Sequence, residues 1–224
     1  KCKEKRKNVA KLYRYYPYPS DRMAMLWNLL ALDDACVVEY GPPGTLHFAL
    51  GLLGSLLDTD FASRYSVSPM DENDVVMGDM SQLRAAVLEI DANQKPQHIF
   101  LLASSISAMI GADLEGLRFA LQDEIHAQLH ILDSGGFKGG AKTGTEYFYE
   151  VLAEIVRDNQ DLKVLATPVP KTYQVLGASA DHFRLASDLN ELQRLLKSGL
   201  DPQLKGSFSV GGSIKALQEP ASIN

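Results

Sequence analysis

The sequence predicts an α/β fold: a Rossmann-like, doubly wound parallel sheet, with the start of a second α/β domain. Two observations carry this. Short runs rich in Val, Ile and Leu recur along the chain as near-continuous apolar stretches, as strands buried on both faces do. Longer stretches of helical period lie between them, and that alternation is the pattern of a parallel sheet covered by helices.

Taken in order, the predicted strands are Ala35–Tyr40, Asp74–Met77, Gln97–Ala103, His126–Asp133, Leu162–Pro168 and Thr172–Gly177. The predicted helices are Ser20–Ala31, Thr45–Leu57, Met80–Asp91, Asp113–Glu124, Thr145–Asn159 and Asp188–Ser198. Ser20 or Asp21 can cap the first helix after a Pro-rich entry. Asp113 and Glu115 favour the positive end of theirs. Asp188 followed three residues later by Glu191 reads as a helix start, and Gly199 offers a left-handed stop. Pro168-Val169-Pro170 reads as a hinge. It divides a first domain, residues 1–170 with an N-terminal extension, from a partial second domain, residues 171–224. The second holds too few elements to finish a doubly wound domain, so later residues or another subunit are expected to complete it.

At 46% hydrophobic and 22% charged, the 224 residues suit one large or two modest globular domains. A net charge of -6 argues against a nucleic-acid partner. The basic Lys1–Lys7 cluster reads as a solvated tail. No apolar run reaches the roughly 20 residues that span a bilayer, so no membrane partner and a cytoplasmic location are expected. Cys2 and Cys36 supply neither a disulfide framework nor a four-cysteine cluster within one chain. Cys36, in an apolar run, reads as a buried small hydrophobe.

The stretch Glu39-Tyr40-Gly41-Pro42-Pro43-Gly44-Thr45-Leu46-His47-Phe48 runs from a strand end through two glycines into a helix start. In an open α/β sheet such loops lie at the carboxyl edge, where ligands bind. It is not a dinucleotide fingerprint, because its glycine spacing differs and its prolines remove amide donors. Nor is it a phosphate-binding P-loop, because no Gly-Lys-Thr/Ser follows. As a bare tight turn it would need no function.

Tyr40–Phe48 resembles a loop of the nitrogenase component 1 family, in which Gly-Pro-x-Gly precedes a cluster-ligating cysteine. Thr45 stands at that cysteine's position. Glu72–Asp79 leading into Leu83–Ala86, and Ile99–Glu115, are similar to two further family segments, and Ser105 takes a second cysteine's place. Gly136-Phe137-Lys138-Gly139 resembles the family's next loop, and Tyr173–Asn224 the opening of its second domain. The upstream family cysteine falls near Tyr15–Arg22, where none is present.

Thiolates hold iron–sulfur clusters, and a Thr or Ser hydroxyl is a harder, far less acidic donor. The resemblance therefore implies a member without a standard bridging cluster. It points to a cofactor site shaped by Gly41, Gly44, Thr45, His47, Ser104, Ser105 and Lys138, with the cofactor, a metallocluster or tetrapyrrole, left open. His47 reads as a capping or packing group or as an acid–base candidate, and Lys138 as an anion clamp or a solvated cation. His126 and His130, four residues apart on a predicted strand, would stand about 13 Å apart and share no metal. The implied function is an oxidoreductase subunit that accepts electrons from an iron–sulfur reductase partner and binds a cofactor at an interdomain cleft. The alternatives are a non-catalytic scaffold or carrier for a metallocofactor or tetrapyrrole, or a structural partner of a catalytic paralogue. An oligomer with itself or a paralogous subunit is expected.

Overall fold

A computed structural model describes residues 19–45, 62–158, 169–180, 182, 184–208, 210–218 and 221–222. Helix α1 (Asp21–Leu30) starts at Ser20, whose hydroxyl oxygen accepts from the Met23 amide. Strand β1 (Ala35–Tyr40) is buried at all six positions. It pairs in parallel with β2 (Tyr65–Ser68) on one side and with β3 (His98–Ala103) on the other, and β3 pairs with β4 (Gln128–Leu132). The resulting order, β2-β1-β3-β4, places a reversal of direction between β1 and β3. At such a point the two outgoing loops diverge and leave a crevice beyond the carboxyl ends.

Both faces of the sheet are covered. On one face α1 and α6 (Ala141–Asp158) set Leu26, Leu29, Phe148 and Leu152 against Val37, Phe100 and Leu102. On the other, α3 (Ser81–Gln94) and α5 (Leu114–Leu121) set Val87, Leu117 and Leu121 against Val38, Ile99 and Leu101. The expected doubly wound α/β arrangement is thus observed. Close packing of α1 on α6 depends on Gly144, because a Cβ there would stand 2.0 Å from the Asp21 carbonyl oxygen.

Several elements differ from expectation. Asp74–Met77 is not a strand but the end of helix α2 (Glu72–Met77), started by a capping box between Asp71 and Asp74. Its Val76 and Met77 face solvent, so their apolar character carries no strand signal. The strand lies earlier, in β2. A short helix, α4 (Ser105–Ile110), follows β3. β4 begins only at Gln128, because the buried Asp91 carboxylate accepts the amides of His126 and Ala127 before the ladder starts. Helix α7 (Leu185–Gly199) starts ahead of Asp188, after Arg184 in a left-handed conformation. Gly199 stays within that helix and supplies no left-handed stop. Beyond Thr45, the predicted helix Thr45–Leu57 lies outside the described residues, as does the strand Leu162–Pro168.

Val169–Pro170, in the segment read as a hinge, forms a short strand, β5. It pairs with β8 (Ala221–Ser222), while β6 (Thr172–Val175) pairs in parallel with β7 (Lys205–Phe208). Helix α8 (Ile214–Gln218) receives the Asp34 carboxylate on its first amides, and Val210 and Ile214 enter the same core as α1. No helix among the described residues is long and apolar enough to cross a membrane.

Candidate functional site

Gly41, Gly44, Thr45, Ser104 and Ser105 follow β1 and β3 at the carboxyl edge of the sheet, where the strand order reverses. Gly41 and Ser104 touch there: a Cβ on Gly41 would stand 2.4 Å from the Ser104 Cβ, so only glycine permits the approach. Ser104 caps α4 through the Ser107 amide, and its own amide donates to the Tyr40 carbonyl. Gly44 has open space around its Cα. His47 lies outside the described residues.

The Thr45 hydroxyl donates to the Pro42 carbonyl at 2.9 Å, and the Ser105 hydroxyl donates to the Gly135 carbonyl at 2.6 Å. Ser20, inside the stretch where the third cysteine position falls, accepts the Met23 amide. The Ser20 and Ser105 oxygens both stand 3.6 Å from the point that a Cβ on Gly136 would fill. The loop after β4 thus brings the two serines to one place. Lys138 is already partnered. Its ammonium donates to the Asp133 carbonyl at 2.9 Å and lies 5.4 Å from the Tyr147 ring centre, while its amide donates to Asp21.

A buried charged network lies among these groups. Arg22 Nη1 meets Glu39 Oε1 at 2.6 Å, with the Glu39 side chain wholly buried, and the Tyr65 hydroxyl donates to Glu39 Oε2. Burial, then the adjacent Glu39 charge, pushes the Tyr65 phenol far up, so Tyr65 remains a donor. The first turn of α1, the end of β1 and the start of β2 are therefore tied by one chain of polar contacts. Next to it, Asp21 accepts from Ser134 and from the Lys138 amide.

The Tyr15–Arg22 stretch offers Arg22 as a cation beside the Thr45 loop, and Glu39, a carboxylate in an apolar strand, requires a buried partner; Tyr65 carries no local signal that joins it to them. A cavity of about 400 Å³ opens nearby, between β3, β4 and α5, lined by Ala103, Ser107, Asp113 and Asp133. A larger cavity of about 650 Å³ lies beside β4, lined by Arg118, His130, Tyr147 and Glu154, away from Thr45 and Ser105.

These groups do not fit an iron–sulfur cluster. At two positions where thiolates would be needed, Thr45 and Ser105 spend their protons on backbone carbonyls, and within the stretch of the third Ser20 caps a helix. Among the described residues no three His, Cys, Asp or Glu side chains converge as a metal site.

Comparison with known proteins follows the same lines. The chain is 29% identical over 128 residues to the nitrogenase iron-molybdenum cofactor biosynthesis protein NifE of Clostridium pasteurianum, covering 57% of this chain and 28% of that protein. It is 25% identical over 195 residues to NifE of Klebsiella pneumoniae, covering 85% and 42%. The chain thus spans less than half the length of these relatives. The solved structure of nitrogenase Cp1 at pH 5 superimposes with a TM-score of 0.72 at 18% identity, over 92% of this chain and 43% of that one, and shares its fold. The sequence profile described as nitrogenase component 1 type oxidoreductase matches residues 21–219. With that match across most of its length, the chain belongs to the nitrogenase component 1 type oxidoreductase family.

Proposed function

We propose that the chain is part of a scaffold subunit that carries or shapes a metallocofactor or its precursor beside a paralogous subunit, without a bridging iron–sulfur cluster of its own. One observation carries this reading. The hydroxyls of Ser20, Thr45 and Ser105 are committed to backbone partners near an Arg22–Glu39 ion pair, which leaves no soft donor for iron among the described residues of this edge. Relatives named for cofactor biosynthesis support assembly over turnover. The cofactor would lie between a first domain, residues 1–170, and a second that opens at 171, with Gly41, Gly44, His47 and Lys138 as its candidate binding residues. The family description favours a second reading, a reductase subunit that takes electrons from an iron–sulfur partner.

Full-length protein purified without oxygen, alone and with its paralogue, separates the two. The scaffold predicts no stoichiometric iron in the isolated subunit, metal uptake from an added metallocofactor, and no substrate reduction. Stoichiometric iron with charge-transfer absorption, lost in Thr45→Val/Ser105→Ala, would overturn it in favour of the reductase.

A further inference from the structure

We infer that the Arg22–Glu39–Tyr65 network is a metal-free cross-link that has taken over the structural task a bridging metal group would perform at this edge. The inference rests on reading the edge as free of a cluster. A bridging group fastens separate elements by bonding to each of them. Here the fastening is done by side chains. Arg22 comes from the first turn of α1, Glu39 from the end of β1 and Tyr65 from the start of β2.

The network is closed. One Glu39 oxygen takes the guanidinium and the other the Tyr65 hydroxyl, and neither appears among the buried polar atoms that lack a partner. A fully satisfied buried network rigidifies the elements it joins, whereas loss of one member leaves a charge stranded. Glu39 is 0% exposed and the Arg22 side chain only 12%, so water cannot take over the lost contact. The base of the Arg22 side chain shares one neighbourhood with Ser20 and Ser105: its Cβ stands 3.8 Å, and their hydroxyl oxygens 3.6 Å, from the point a Gly136 Cβ would fill.

The test is thermal unfolding of the full-length protein, before and after chelator treatment and anaerobic incubation with ferrous iron and sulfide. The expected result is one melting temperature under all three conditions. Glu39→Gln should lower it by roughly 10 °C, because it strands Arg22. Arg22→Met/Glu39→Leu/Tyr65→Phe, which removes every polar member together, should recover most of that loss, and it keeps the idea testable if the single variant fails to fold. A chelator that lowers the wild-type melting temperature, iron and sulfide that raise it, or a Glu39→Gln protein as stable as wild type would overturn the inference. Failure to accept a metallocofactor would sink the scaffold reading and leave these temperatures unchanged.

Discussion

A methyl group added at Gly41 would meet the Ser104 side chain at 2.4 Å, and the two strand ends cannot both hold their places around it. Gly41→Ala is expected to cost about 1–3 kcal/mol in denaturant unfolding, as overpacked sites do. Ser104→Gly in the same protein should return part of the loss, and if it returns none the contact is not the cause. At this scale the sequence was legible where position alone decides. Gly41, Ser104 and Ser105 follow strand ends, and strand ends can be read from apolar runs. Arg22, Glu39 and Tyr65 stand 17 and 26 residues apart, and only the folded sheet joins them.

The same contrast holds for elements. β1, β3 and the body of β4 are legible because their residues are apolar and buried. β2 is hidden by Ser66 and Ser68 in a four-residue strand, and α2 was mistaken for a strand because Val75-Val76-Met77 is apolar yet exposed. The β3–β4 pair also carries a titration. His98 Nδ1 and His130 Nε2 face each other at 3.0 Å with ring centres 5.3 Å apart, nearly head to head, as an N–H···N bond requires. Burial lowers the pKa of His98 against the opposing pull of Asp34. Burial, then His98 and Arg118, pushes His130 down to about 4. Both rings thus bind a proton less readily folded than unfolded, where the value is about 6.5. Their contribution to stability is complete above that pH and is lost as pH falls from about 6.5 toward 4. Urea midpoints at pH 7 and pH 5 should differ by less in His98→Leu/His130→Phe than in wild type. An unchanged difference would remove the pair as its source.

Across the whole molecule, the residues after Val169 are fastened to the first sheet's helices by polar contacts. The buried Asn28 carboxamide accepts the Ala180 amide at 2.8 Å and donates to the Ala24 carbonyl. The Tyr149 hydroxyl donates to the Ala178 carbonyl and accepts the Gly177 amide. Asn28→Ala should raise amide exchange across residues 177–182 while the β1–β3 amides keep their protection. Uniform protection would show that apolar packing alone holds this segment. None of these long-range ties has a local signature, which is why the α/β alternation was readable and the fastening of the C-terminal part was not.

Asp34 binds the first amides of α8 across 180 residues, and Val210 and Ile214 complete the core around α1. On a ribosome the α1–β1 corner emerges long before these residues do, while domains commonly fold as units and N-terminal parts emerge first. Leu32 and its neighbours must therefore wait, with apolar surface uncovered, until nearly the whole stretch has been made. Nascent chains halted shortly before Val210 would be the ones in need of a chaperone.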